Sequence, residues 1–175
     1  MILYLWSRDT SIKDIIHKLE VGFDGVKSVL DVIRLKLKQR KNLKIGGSGC
    51  IVEVDETKLT KRKGNVGRVP ETTWCVGGIC RVHKKFFTEL VKKRSADILH
   101  DILKRHVRLE STVITDEWKG YSEIDKVFSR HLKINHSKYF VDPVNPLIHT
   151  QGIESLWGRL KRYIKKQGTN QKTTL

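Results

Sequence analysis

The sequence is poor in cysteine and has no long apolar run. Its three cysteines, Cys50, Cys75 and Cys80, are odd in number and form no C-x-x-C pair, which argues against a disulfide framework and against a zinc site. We interpret them as buried thiols on strands. No apolar run approaches the roughly 20 residues of a membrane-spanning helix, and the initial MILYLW is too short for a signal-peptide core. We therefore expect a soluble, intracellular protein with no membrane span.

Acidic residues are also scarce relative to basic ones. The chain has 35 Lys and Arg against 19 Asp and Glu, a net charge of +16 and a sequence pI near 9.9. Such an excess is typical of proteins that bind polyanions, so nucleic acid is the leading partner and a membrane surface is the competing one. With 175 residues, 38% of them apolar, the chain is predicted to form one globular domain with a small appendage.

Residues 1–42 are predicted to be helical. Apolar residues recur at helical spacing from Ile12 to Leu19 and again from Val26 to Leu37, and Asp24 is placed to cap the second helix. Two short helices around the turn VGFD fit a helix-turn-helix that binds DNA, and they fit an ordinary helical hairpin equally well. The basic, glycine-rich stretch KQRKNLKIGGSG is interpreted as a linker, and residues 43–175 are assigned to a second, larger domain.

Beyond Cys50 the pattern changes to strands. Three β-rich segments, CIVEVDETKL, TTWCVGGICRV and KKFFTELVKK, predict an antiparallel meander. The helix SADILHDILKRHV follows, with Ser95 as its expected cap, then the strand STVITD, a fifth strand in FSRHLKINH and a closing amphipathic helix in HTQGIESLWGRLKRYIKK. This order predicts an α/β fold of the ribonuclease H-like type, a mixed sheet flanked by helices and preceded by a small helical segment that resembles a helix-turn-helix.

Three carboxylates occupy positions that converge in such a fold. Asp55 lies near the end of the first strand, Asp116 ends the later strand, and Glu154 lies in the first turn of the last helix. Each alone has an ordinary explanation, as a strand end, a turn or a charge at a helix start. Together they would repel one another unless divalent cations bound among them, and two Mg²⁺ or Mn²⁺ ions on hard oxygen ligands promote phosphodiester cleavage.

Five sequence blocks carry a family resemblance. VEVDETK, RSADIL, ITDEWKGY, INHSKYFVDP and HTQGIESLWGRLKR, from about Ile51 to Lys166, together resemble the catalytic domain of DDE transposases of the Merlin superfamily, which is similar to a group of bacterial insertion-sequence transposases. The resemblance implies a ribonuclease H-like core, divalent metal and the movement of DNA flanked by terminal inverted repeats. By motif, Asp55, Asp116 and Glu154 match the catalytic, metal-binding carboxylates of that family, and Lys161 matches its basic position. Relatives commonly extend further at both ends, and the loop DPVNPLIHT is longer than usual.

Candidate DNA contacts are the basic residues of the last helix and of the loop TKRKGNVGRVPE. They are Lys161, Arg159, Arg162, Lys165, Lys61, Arg62 and Lys63. A solvated loop explains the last three almost as well. His136, His149 and Trp118 are weaker candidates for contact with the site or with a base, and Trp157 is assigned to the core because it lies in the apolar stripe of the helix.

The sequence thus predicts a DDE transposase, a metal-dependent polynucleotidyl transferase that cleaves DNA at element ends and transfers the freed 3′ strand into target DNA. Its partners would be double-stranded DNA and, by family resemblance, a second copy of the chain or more. It would act in the nucleus of a eukaryote or in the cytoplasm and nucleoid of a bacterium. The alternatives are a ribonuclease H-like nuclease acting on RNA in hybrids and an inactive DNA-binding protein derived from a transposase.

Overall fold

The computed structural model describes residues 1–39, 43–59, 73–135 and 138–166. The chain divides into two compact units, Met1–Leu43 and Lys44–Leu175. Lys61, Arg62, Lys63 and His136 lie outside the described residues, as does the loop that carries the first three. Among the described residues, no helix is both long and apolar enough to cross a membrane.

The first unit contains three helices, α1 (Ile2–Ser7), α2 (Ile12–Leu19) and α3 (Phe23–Gln39). Its buried centre is formed by Ile15, Val26 and Leu30, residues that belong to the predicted apolar stripes of α2 and α3. The expected cap of α3 was wrong by position: the helix begins at Phe23, so Asp24 lies inside its first turn. A carboxylate there is still favourable, because the unpaired N–H groups of a helix start attract negative charge.

The second unit is built on a five-stranded mixed sheet with the order β3-β2-β1-β4-β5. The strands are β1 (Ile51–Lys58), β2 (Trp74–Cys80), β3 (Phe86–Val91), β4 (Thr112–Asp116) and β5 (Arg130–Ile134). β1, β2 and β3 form the predicted antiparallel meander, whereas β4 runs parallel to β1 and β5 runs parallel to β4. This mixed sheet with flanking helices confirms the predicted ribonuclease H-like fold.

Two long helices flank the sheet. Helix α4 (Ala96–His106) joins the antiparallel and parallel halves, and its buried residues Leu99, Ile102 and Leu103 pack in the larger core with Val52 and Val54 of β1. Ser95 occupies the predicted N-cap position, but its side chain makes no capping hydrogen bond. Helix α5 (Gln151–Lys166) covers the other face, where Ile153 and Trp157 form a second cluster with Cys75 of β2.

Strand β1 is central in the sheet, and its side chains alternate between the two faces. Val52 and Val54 point to the α4 side. Glu53 and Asp55 therefore point to the α5 side, and both make hydrogen bonds to residues of α5. One strand thus places two acidic residues under the last helix.

Candidate active site

Asp55 and Asp116 lie on neighbouring parallel strands. The pairing of β1 with β4 joins Ile51 to Thr112 and Glu53 to Ile114, and the same register continued by two residues sets Asp55 opposite Asp116. In parallel strands, residues opposite one another point to the same face of the sheet. The structure therefore brings together the two aspartates that the sequence predicted as partners.

Charge and burial act together on Asp55. Burial and then the neighbouring carboxylate of Glu56 raise the pKa of Asp55 to about 7, and the carboxylate of Asp116 adds to the rise. The indole N–H of Trp157 opposes this by donating a 2.9 Å hydrogen bond to Asp55 Oδ2. Two partly buried carboxylates so placed favour a bound cation, because a cation offsets their mutual repulsion.

Trp157 reaches Asp55 because the facing strand has a glycine at the right position. Gly77 of β2 pairs with Asp55, and a Cβ atom at Gly77 would lie 2.6 Å from the Trp157 ring. The ring therefore rests directly on the β2 backbone. The sequence assigned Trp157 to the core, which its burial confirms, but its hydrogen bond to a candidate catalytic carboxylate was not predicted.

Glu154 lies in the first turn of α5, as predicted, and its side chain is exposed to solvent. One of its carboxylate oxygens, Oε1, accepts a 3.0 Å hydrogen bond from the Thr150 hydroxyl, and its backbone N–H donates to the Thr150 carbonyl. The residue just before it, Ile153, donates its backbone N–H to Glu53 Oε2 at 3.0 Å. Residues on either side of Glu154 are therefore fixed to β1.

The two contacts between α5 and β1 are matched in spacing. Glu53 and Asp55 are two residues apart, about 6.6 Å along a strand, and their partners Ile153 and Trp157 are four residues apart, about 6 Å along a helix. The helix thus runs along β1 at this point and makes a contact with each acidic residue. Glu154 lies between the two anchor residues Ile153 and Trp157 along the helix.

Glu53 and Arg81 form a buried ion pair beneath the start of α5. Arg81 Nε donates to Glu53 Oε1 at 2.6 Å, while Glu53 is only 1% exposed. The two terminal nitrogens of the same guanidinium donate to the carbonyl oxygens of Leu147 and His149, at 2.6 and 2.7 Å. One arginine therefore connects the sheet to the loop that leads into α5.

Gly152 allows this close approach. A Cβ at that position would lie 2.8 Å from a Glu53 carboxylate oxygen. His149, a weaker candidate in the sequence, lies at the same place, with Nδ1 3.7 Å from Glu53 Oε1. Burial and then the Arg81 charge lower the pKa of His149, so the neutral imidazole is favoured in the loop.

A second network surrounds Glu56 on the opposite face of β1. Its carboxylate accepts from the Tyr121 hydroxyl and, at 2.7 Å, from Arg94. The Arg94 guanidinium lies over the rings of Trp74 and Trp118, 4.1 and 4.5 Å from their centroids. The Trp118 ring face is thus in contact with a cation, and the Trp118 backbone N–H donates to Asp116 Oδ1 at 3.1 Å.

Four of the seven cations predicted to contact DNA lie on α5. Arg159, Lys161, Arg162 and Lys165 are exposed, and Arg162 also donates to the Gly158 carbonyl at 3.3 Å. Nothing of the described structure lies within 4 Å of a Cβ built at Gly158. This outer side of the helix is therefore open beside the glycine.

The chain matches the family model of the ISXO2-like transposase domain over residues 46–173. Because this match covers more than two thirds of the chain, the protein belongs to that family of DDE transposases. The matched region coincides closely with the unit that carries the mixed sheet, and residues 1–45 lie outside it.

Similar proteins come from a bacterium and from retroviruses. An uncharacterized transposase-like protein of Haemophilus influenzae (strain ATCC 51907 / DSM 11121 / KW20 / Rd) is 30% identical over 82 residues, which cover 47% of this chain and 64% of that protein. The match thus spans just under two thirds of that relative's length.

Two solved structures also match. The HTLV-2 integrase catalytic core domain in complex with magnesium (trimeric form) is 12% identical, with a TM-score of 0.47, over 74% of this chain and 78% of that one. A simian T-cell lymphotropic virus intasome in complex with the PP2A regulatory subunit B56 gamma is 15% identical, with a TM-score of 0.48, over 94% and 64%. Both TM-scores are below 0.5, so the fold assignment rests on the strand order and directions of the sheet.

Proposed function

We propose that this protein is a DDE transposase, of the Merlin type that its sequence blocks resemble, and that Asp55, Asp116 and Glu154 are its metal-binding catalytic residues. The observation that carries this proposal is the register of β1 against β4: continued two residues beyond its last pair, Glu53 with Ile114, it would bring Asp55 and Asp116 opposite each other on the face covered by α5. Helix α5 is joined to β1 immediately before Glu154 and three residues after it. Membership of a transposase family supports the same reading.

The donor set fits Mg²⁺ or Mn²⁺. Three carboxylates offer the hard oxygen ligands that these ions prefer, and with water they can complete the coordination of two ions. Bound there, the ions would activate the attacking hydroxyl and stabilise the leaving oxygen of a DNA phosphodiester. The chain's own part is to hold the three carboxylates: β1 and β4 position the aspartates, and the contacts of Glu53 and Trp157 position α5.

Two reactions would use this site in turn. In the first, water attacks a phosphodiester at the element end, the bond to the 3′ oxygen breaks and a 3′ hydroxyl leaves. In the second, that 3′ hydroxyl attacks a phosphodiester of the target, the bond from its phosphorus to the target 3′ oxygen breaks, and a 3′ hydroxyl of the target strand leaves. The protein contributes positioning and electrostatic stabilisation to both reactions.

The test replaces each carboxylate by its amide. Asp55→Asn, Asp116→Asn and Glu154→Gln each remove a ligand charge without changing volume, so strand cleavage in Mg²⁺ or Mn²⁺ should be abolished while the far-ultraviolet circular dichroism is unchanged. Glu110→Gln removes the same charge at an exposed turn and should cleave at the wild-type rate. Near wild-type cleavage by any of the three variants would remove that residue from the site.

Metal dependence gives an independent test of the same proposal. Ca²⁺ should permit DNA binding but support little cleavage, because its coordination is looser and larger than that of Mg²⁺. Full activity in the presence of a chelator would contradict the metal mechanism.

We propose double-stranded DNA as the partner, with the cations of α5 in contact with its phosphates. The net charge of +16 and the exposed Arg159, Lys161, Arg162 and Lys165 support this. The logarithm of the affinity should fall steeply against the logarithm of salt concentration, as the release of counterions from DNA requires. The basic loop with Lys61, Arg62 and Lys63 is a further proposed contact.

Glu154 and Lys161 have separable roles on one helix. They are seven residues apart, about 20° short of two full turns, and so lie along one line about 10 Å from each other. Lys161→Ala should weaken binding of the reacting DNA end in a gel-shift titration and leave metal binding by calorimetry intact. Glu154→Gln should do the reverse. Lys104→Ala, an exposed change on α4, is the control; equal effects of the two lysine variants would contradict the role of Lys161.

We propose the first unit as the reader of element ends. Helices α2 and α3 are separated by only three residues, of which Glu20 adopts a left-handed backbone with φ of 52°; such a tight turn is required between the helices of a helix-turn-helix. Replacing Lys27 and Lys36, exposed on α3, by alanine should reduce the preference for end sequences over random duplex. An unchanged preference would leave α3 as part of an ordinary helical bundle.

A dimer or higher assembly is also proposed, since two element ends must be held together for transposition. Sedimentation with end-sequence duplexes tests it. A ribonuclease H-like nuclease is the alternative chemistry, and it would cut RNA–DNA hybrids faster than duplex DNA. An inactive DNA-binding derivative would bind duplex DNA and cut neither.

A further inference from the structure

A cluster of two thiols and an imidazole lies at the end of β1 remote from the carboxylates. Cys50 comes directly before β1, Cys80 is the last residue of β2, and His83 lies in the turn that follows. Their ligand atoms all lie within 4.8 Å of one another. Cys50 and Asp55 are five residues apart, about 16 Å along an extended strand, so this cluster is separate from the candidate active site.

The backbone fixes all three residues. Val52 pairs with Cys80 in the antiparallel ladder, and the backbone N–H of Arg81 donates to the Ile51 carbonyl at 3.0 Å. The turn is closed by hydrogen bonds from the Cys80 N–H to Lys85 O, at 2.8 Å, and from the Lys84 N–H to Cys80 O, at 2.9 Å. The cluster is therefore built around the tight turn between β2 and β3, beside the start of β1.

The separations suit a zinc ion. With Zn–S near 2.3 Å and Zn–N near 2.05 Å, tetrahedral coordination requires about 3.6 Å between sulfur and nitrogen and about 3.8 Å between two sulfurs. Cys50 Sγ lies 3.7 Å from His83 Nε2, and because the remaining pairs are at most 4.8 Å apart, they would have to close by no more than about 1.2 Å. Both thiols are buried, whereas His83 is exposed.

We propose that Cys50, Cys80 and His83 bind one Zn²⁺ ion, with water in the fourth position on the exposed side of His83. Binding releases two protons, one from each thiol, and leaves the His83 imidazole neutral with its proton on Nδ1. The ion would tie the start of β1 to the turn after β2. Thiolate sulfur and imidazole nitrogen select Zn²⁺ over Mg²⁺, so the site differs in its metal from the proposed active site and does not rest on it.

The test uses Co²⁺ as a spectroscopic substitute for Zn²⁺ in the full-length chain, reduced and freed of metal. Wild-type protein should bind one Co²⁺ with a near-ultraviolet thiolate-to-cobalt charge-transfer band, and added Zn²⁺ should abolish that band. Cys50→Ser and Cys80→Ser should each lose it. His83→Ala changes an exposed side chain, so it should fold normally and bind at least about tenfold more weakly, since even loss of residues behind the ligands typically weakens metal sites by 10- to 100-fold.

Cys75→Ser is the matched control, because Cys75 lies on the same strand but packs in the α5 cluster with Trp157. It should retain the full band, as should Asp55→Asn, which affects only the carboxylate site. Absence of the band in the reduced wild type would overturn the proposal, and so would its loss in Cys75→Ser or its full retention in His83→Ala. A disulfide between Cys50 and Cys80 that persists when the chain is purified under reducing conditions would overturn it as well.

Discussion

Arg81→Met should destabilise the protein strongly, because it leaves a buried carboxylate without its counter-ion. Methionine keeps an unbranched side chain as far as the position of Nε, so the packing of the stem is preserved and the charge and donors of the guanidinium are lost. Glu53, only 1% exposed, would retain one described hydrogen bond, from the Ile153 N–H. The carbonyl groups of Leu147 and His149 would lose their arginine donors at the same time.

The magnitude follows from the burial of the pair. Removing one partner of a buried ion pair costs about 3–5 kcal/mol, and the Arg81 side chain is only 18% exposed. Arg81→Lys keeps the positive charge and should lose a smaller amount, which remains because a lysine cannot supply three donors in the fixed geometry of a guanidinium. A typical domain has only about 5–15 kcal/mol of stability, so the change should be evident in any equilibrium measurement.

The assay is urea denaturation followed by tryptophan fluorescence. Arg105→Met is the matched control, because Arg105 pairs with Glu89 and Asp101 at the surface with its side chain 51% exposed, and exposed pairs contribute about 0–1 kcal/mol. If Arg81→Met and Arg105→Met lower the free energy of unfolding by equal amounts, the Glu53–Arg81 pair does not anchor α5 in the way inferred. The wild-type m-value should be retained, which shows that the same surface unfolds.

Three further outcomes test the packing and the titration of the fold. Gly77→Ala should cost about 1–3 kcal/mol in urea denaturation, because its Cβ would lie 2.6 Å from the Trp157 ring; a neutral result would mean that the ring moves freely. Gly158→Ala should stabilise α5 by up to about 1 kcal/mol, since its Cβ would meet nothing within 4 Å, and a simultaneous loss of DNA cleavage would show that the backbone there approaches DNA. Burial, then the charge of Lys133, lowers the pKa of His131 from 6.5 to about 4, with Asp125 opposing and His100 adding to the fall. Between these pH values the imidazole is protonated in the unfolded chain and neutral in the folded one, so the free energy of unfolding should fall by about 1–2 kcal/mol, after allowance for solvent screening, as pH drops from 6.5 towards 4. His131→Gln should reduce this dependence of stability on pH, and an unchanged dependence would contradict the assignment.

The sequence pattern was sufficient to place the strands along the chain, because each strand has a recognisable local composition. The segment VEVDETK is rich in β-branched residues and STVITD is apolar up to its aspartate, so both strands could be placed without the structure. The short helix α1 was not predicted as a separate element, since six residues give less than two turns of periodicity. The start of α3 was predicted from Asp24 and lies at Phe23, because capping residues are also favourable inside the first turn.

Contacts between distant residues were beyond the sequence pattern. Glu53 and Arg81 are 28 residues apart, and their pairing depends on the antiparallel register of β1 and β2. One signal was present: Glu53 is a charged residue inside an apolar strand, on the face that Asp55 shares, and a buried charge requires a partner. Cys80 and His83 are likewise separated from Cys50 by the whole β1–β2 hairpin. The absence of a C-x-x-C pair in the sequence therefore gave no indication that these three side chains lie together.

The acidic residues of β1 illustrate how one strand can serve both folding and chemistry. Glu53, Asp55 and Glu56 lie within four residues, yet two of them have an arginine partner: Arg81 for Glu53 and Arg94 for Glu56. The described contacts of Asp55 include a neutral donor, the Trp157 indole, and burial with two nearby carboxylates raises its pKa. A carboxylate that accepts its hydrogen bond from a neutral group, while its neighbours are paired with arginines, is the one still able to gain from a bound cation. Glu53 and Glu56 are thus paired with arginines in the framework, and Asp55 is the one of the three that we propose as a metal ligand.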